Sequence, residues 1–78
     1  MDAPQLDPAS PVPLYAQIAD FIAGQVAAGR LASGARLPAE RELAELWGVA
    51  YTTIRRASRE MREREIVISV PGKGTYIR

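Results

Sequence analysis

At 78 residues, 47% of them hydrophobic and with a net charge of +1, the chain has room for one small packed domain and not for two. It contains neither cysteine nor histidine, which excludes a disulfide framework, a thiolate metal site and the commonest general base and metal ligand. No apolar run approaches the roughly 20 residues of a membrane span, and Met1-Asp2-Ala3-Pro4 does not open like a secretory signal, so a soluble cytoplasmic protein is expected.

The charge is unevenly spread. Residues 1–50 hold three basic side chains, Arg30, Arg36 and Arg41, against six acidic ones, while residues 51–78 hold seven basic against three acidic. The C-terminal end is therefore suited to a polyanion and the N-terminal end is not, although scatter over an ordinary charged surface gives the same count.

Along the chain, Pro4, Pro8 and Pro11 stand among small and polar residues, so 1–12 is expected to be a flexible arm and 13–78 the domain. From Leu14 the pattern turns helical. Leu14, Ile18, Phe21, Ile22 and Val26 share one face, Pro13 suits a first turn, and Gly29 is a natural stop. Ser33-Gly34 marks a turn, Leu31 and Leu37 are expected to point inward, and Leu37 is a candidate for a very short strand. A second helix fits 40–47, with Leu43, Leu46 and Trp47 as its apolar stripe and Glu40 and Glu42 in its first turn, where the helix dipole favours negative charge.

Only Gly48, Val49 and Ala50 separate this from a third helix running from Tyr51 to Glu63 or Arg64, seated on Ile54, Ala57 and Met61. A tight glycine-containing turn between two short helices is the helix-turn-helix pattern. Ile66 to Val70 then reads as a strand, Pro71-Gly72-Lys73-Gly74 as a turn and Thr75 to Arg78 as a second strand. The predicted fold is α+β and mainly α: a three-helix winged helix-turn-helix with a C-terminal β-hairpin wing.

At 100° per residue, Tyr51, Thr52, Arg55, Arg59 and Arg62 fall within roughly 100° of arc, beside the apolar seat. When the second helix of such a pair docks in a major groove, its N-terminal residues reach the bases, which points to Tyr51, Thr52, Thr53 and Arg55. Arginine pairs bidentately with guanine, and threonine meets a phosphate or a thymine methyl. Arg59 and Arg62 lie further along and suit phosphate or pairing within the helix. A solvated face with Arg56–Glu60 and Arg59–Glu63 surface pairs is the plainer alternative. In the hairpin turn, Gly72 and Gly74 let the backbone approach a phosphate or minor groove, with Lys73 supplying charge, although tight hairpins use glycine anyway. Gly-Lys-Gly-Thr is not a nucleotide-binding loop: Val67 stands five residues before Gly72, where a glycine belongs, and no helix follows the lysine.

Taken in order, Pro13-Leu14-Tyr15-Ala16-Gln17-Ile18, Gly29-Arg30-Leu31-Ala32-Ser33-Gly34, Leu37-Pro38-Ala39-Glu40-Arg41-Glu42-Leu43-Ala44, Gly48-Val49, Thr53-Ile54-Arg55-Arg56-Ala57 and Gly72-Lys73-Gly74-Thr75-Tyr76 resemble the GntR family of bacterial regulators over 13–78. The opening is most similar to the HutC, YtrA and MocR subfamilies. The resemblance implies a bacterial, nucleoid-associated transcription regulator, a repressor that binds double-stranded DNA at pseudo-palindromic operators as a homodimer. It implies DNA contact by Arg41, by positions 50 to 55 (Ala50, Tyr51, Thr52, Thr53 and Arg55), and by Gly72 and its neighbours Lys73 and Gly74. Arg59 is added as a phosphate candidate.

Three departures stand out. Ala39 replaces the family's usual serine cap, although Glu42 remains. Ala50-Tyr51 replaces the usual Ser-Arg, and tyrosine cannot bridge a guanine bidentately, so the usual operator is not assumed. Family members usually continue into an effector-binding, oligomerising domain, whereas this chain stops at the wing, as an excised domain or an autonomous short regulator would. No enzyme activity, cofactor, metal, membrane association or small-molecule effector is expected. An enzyme would have only carboxylates, hydroxyls and one lysine to work with. The competing reading is a winged helix that binds protein instead of DNA.

Overall fold

The structure is a computed structural model describing residues 2–78; Met1, the first residue of the expected arm, lies outside the described residues. Helix α1 is Leu14–Ala27, α2 Glu40–Trp47 and α3 Tyr51–Glu63, followed by strands β1 Val67–Val70 and β2 Gly74–Ile77. No helix among the described residues is long and apolar enough to cross a membrane.

The core has two parts. Ala19, Ile22, Leu37, Met61, Val67 and Ile77 tie α1 and α3 to the hairpin. Ile18, Leu43, Ile54 and Ala57 tie all three helices together. Trp47 packs against both parts and meets Phe21 edge-on, with ring centroids 5.9 Å apart. An edge-to-face aromatic pair adds about 0.5–1.5 kcal/mol beyond its burial. Trp47 is therefore the joint that fixes α2 on the rest of the molecule.

The expected apolar stripe of α2 needs one correction. Leu46 is 67% exposed, while Leu43 is buried. An eight-residue helix makes about two turns, and the Leu43–Trp47 pair at i, i+4 already covers its seam. In α1 the buried set is Ile18, Ala19, Ile22 and Gln25, with Leu14, Phe21 and Val26 only half-buried. Gly48 ends α2 in the left-handed conformation (φ 63°, ψ 38°), which a Cβ would strain, and so turns the chain directly into α3.

The hairpin is antiparallel, pairing Val67 with Ile77 and Ser69 with Thr75. It has a third member at the position expected near Leu37. Arg36 bridges Tyr76, and the Leu37 amide donates to the Thr75 carbonyl at 2.9 Å. This pairing brings the start of α2 to the wing.

The segment before α1 contains a turn over residues 7–10. Gln17 holds it: its amide donates to the carbonyls of Asp7 (2.8 Å) and Val12 (2.7 Å), and its Oε1 accepts from the Asp7 amide (2.9 Å). Leu6 packs on the helical core beside it.

Candidate nucleic-acid interface

The site is built on α3. Its buried stripe of Ile54, Ala57, Ser58 and Met61 fixes the helix's rotation about its axis. The same periodicity leaves Thr52, Arg55, Arg59 and Arg62 exposed and Tyr51 and Thr53 half-buried. Thr52, Arg55, Arg59 and Arg62 line one open groove of about 350 Å³, with Glu40 across from them at the start of α2.

Among the described residues, Arg41, Arg55, Arg56, Arg59 and Arg62 make no ion pair. The surface pairs weighed from the sequence are thus not those formed. Glu60 is taken instead by Arg64, whose Nε donates to it at 2.8 Å and which also bonds Asp20 at 2.6 Å. Hydrogen bonding to Asp20, and then to Glu60, holds the Arg64 guanidinium above its ordinary pKa. Arg64 therefore clamps α3 to α1 and is removed from the interface. Arg56 lies over the Tyr15 ring at 4.4 Å, a second cross-helix tie.

At the N-terminal end of α3, three predicted residues come together. The guanidinium carbon of Arg41 lies 4.3 Å from the centroid of the Tyr51 ring, and that of Arg55 lies 5.9 Å from it. Ala50 is the exposed N-cap and provides no side-chain hydrogen bond.

The wing residues form a separate group. Gly72 and Gly74 have φ of 74° and 134°, and the Lys73 amide donates to the Val70 carbonyl to close the turn. Two neighbours complete it: Arg36, which the sequence did not single out, and Arg62, whose partner proves to lie outside its own helix. Arg36 lies across Gly74, where a Cβ would sit 2.7 Å from its Nε. Arg62 donates from Nη1 to Ser69 Oγ on β1 at 3.1 Å. A hollow of about 230 Å³ that includes Arg36, Ser69 and Gly74 shares Glu40 and Arg62 with the α3 groove. The concave surface thus runs from the N-terminal end of α3 to the wing, with arginine at both ends. Among the described residues no group of carboxylates is arranged to hold a metal ion.

The sequence profile of bacterial regulatory proteins of the gntR family matches residues 14–77. The mannosyl-D-glycerate transport/metabolism system repressor MngR of Escherichia coli (strain K12) is 46% identical over 66 residues, covering 85% of this chain and 28% of that protein. The chain therefore spans under a third of the length of that curated relative. Among solved structures, YtrA from Sulfolobus acidocaldarius, a GntR-family transcription factor, superposes with a TM-score of 0.91 at 31% identity, over 99% of this chain and 81% of that one. AraR(DBD) in complex with operator ORE1 superposes with a TM-score of 0.81 at 28% identity, over 100% of this chain and 95% of that one.

Proposed function

This chain belongs to the gntR family of bacterial regulatory proteins, and we propose that it binds double-stranded DNA sequence-specifically to regulate transcription in the bacterial cytoplasm. Two copies bind the half-sites of a pseudo-palindromic operator as a homodimer. In each copy α3 enters the major groove, the turn at 71–74 lies alongside, and the bound pair represses by blocking polymerase. The observation that carries this reading is the guanidinium face of α3, free of ion pairs among the described residues and placed next to Arg41. Charged donors left without carboxylate partners are what a phosphate backbone and guanine edges require. The likeness to AraR(DBD), whose structure includes operator ORE1, supports the choice of ligand.

The roles divide along the surface. Arg41, Tyr51, Thr52, Thr53 and Arg55 face base edges, helped by the exposed Ala50 that leaves the start of α3 uncrowded. Arg59, Gly72, Lys73 and Gly74 meet the phosphate backbone. The domain's longest dimension, 33 Å, is close to one turn of duplex, and half-sites spaced about 34–36 Å apart hold two copies side by side.

The test is selection of tight binders from random duplexes at two salt concentrations. An enriched inverted repeat is the expected result. Salt-sensitive binding with no enriched sequence would remove base reading and leave a backbone binder. No binding at either salt would remove DNA as the ligand and favour a protein partner.

A further inference from the structure

The groove-facing end of α3 presents an aromatic ring where two arginines from different helices converge. Arg41 belongs to α2, one residue inside its start, while Tyr51 and Arg55 belong to α3. The Arg41 guanidinium carbon is 4.3 Å from the Tyr51 centroid, well inside the range of a cation–π contact, and Arg55 is at 5.9 Å, at its edge. Neither arginine has a carboxylate partner among the described residues, and the Tyr51 ring is the contact the two share.

We infer that Tyr51 is a positioning residue for base readout: one ring, set at the first residue of α3, holds the guanidinium groups of Arg41 and Arg55 in reading position before DNA arrives. The inference rests on the DNA reading above and names how that site gains its specificity. A guanidinium carries its donors in its own plane, so where its face meets the ring its N–H edge is left free for O6 and N7 of guanine. Holding the long side chains in advance lowers the rotamer entropy lost on binding, which otherwise weakens every arginine contact. The ring lies at the base edges but cannot bridge a guanine, so its main effect on sequence preference passes through the two arginines.

The consequence differs from that of a ring that merely packs. Loss of the ring lowers specific affinity and blurs preference at the base pairs read by both Arg41 and Arg55, on two helices at once. Loss of the hydroxyl alone changes little.

The test compares the wild-type chain with Tyr51→Phe, Tyr51→Ala, Arg41→Ala and the Arg41→Ala/Tyr51→Ala double variant. In the DNA-free proteins, the side-chain CH2 protons of Arg41 and Arg55 are read by NMR for ring-current shifts, and melting temperatures are recorded alongside. Binding is then measured to the duplex selected by the wild type and to single-base variants of it. The expected shifts are present in wild type and Tyr51→Phe and lost in Tyr51→Ala. Tyr51→Phe binds within about threefold of wild type, and Tyr51→Ala loses about tenfold, the scale of two cation–π contacts. On the Arg41→Ala background, the tyrosine truncation costs less than it does alone. Equal binding by Tyr51→Ala and wild type would overturn the proposal, as would equal losses in Tyr51→Phe and Tyr51→Ala, which would assign the effect to the hydroxyl. A wild-type chain that binds no duplex while the arginine shifts persist would overturn the DNA reading itself, and this proposal with it.

Discussion

Gly74 holds a φ of 134°, and a Cβ there would lie 2.7 Å from Nε of Arg36. The Arg36 side chain can swing away, but the backbone conformation remains outside what L-residues adopt at low cost. Gly74→Ala should therefore destabilise the fold by about 1–3 kcal/mol, read as a lower melting temperature, and release Arg36 from the wing. Arg55 belongs to a different kind of residue, one whose removal leaves the fold alone. It is exposed and makes no ion pair among the described residues. Arg55→Ala should keep the melting temperature and cost about 1–3 kcal/mol of specific binding, with relaxed preference at one base pair. Unchanged specificity would move base reading away from this end of α3.

Helix α2 is the weakest element on its own terms. At eight residues it is too short to persist alone in water, and its N-cap, Ala39, makes no side-chain cap bond. Glu42 stands three residues on, where a capping box would have its second partner. Ala39→Ser should raise stability by about 0.5–2 kcal/mol in urea unfolding without altering the core; no gain would mean that the helix start is already satisfied by backbone. The elements themselves were readable in the sequence where a period repeats for several turns. Ile54, Ala57 and Met61 marked the seat of α3 correctly, and the β-branched run after it marked the wing. Leu46 misled because two turns of helix do not determine which apolar residue takes the seam, and Trp47 took it. Arg36 at the wing, the Arg62–Ser69 bond and the Arg41–Tyr51 contact were out of reach because each depends on a partner in another element: Gly74 on β2, Ser69 on β1 and the first residue of α3. Periodicity reports one element's own faces, and a contact between elements is set only when both are docked.

At the scale of the whole molecule, most of the basic side chains of residues 51–78, namely Arg55, Arg56, Arg59, Arg62 and Lys73, lie on the two elements that form the concave surface, α3 and the wing. On the proposed DNA ligand, such a surface would act in two separable ways. Groups facing bases change which sequence is preferred. Groups facing phosphates change how much affinity falls with salt, because each neutralised phosphate releases counterions and contributes about −0.9 to the slope of log K against log salt. Lys73 sits at an exposed turn with its backbone tied to Val70, so its ammonium reaches outward as a point charge without a planar fork for base edges. Lys73→Ala should therefore weaken binding to selected and random duplexes alike and flatten the salt slope by about one per copy bound. Two copies on a palindromic operator would double that change, so the same titration also counts the chains on the DNA. A slope flattened by about one on the selected repeat would indicate a single engaged copy. A shift in base preference would place Lys73 at a base edge and remove the wing's assignment to the backbone.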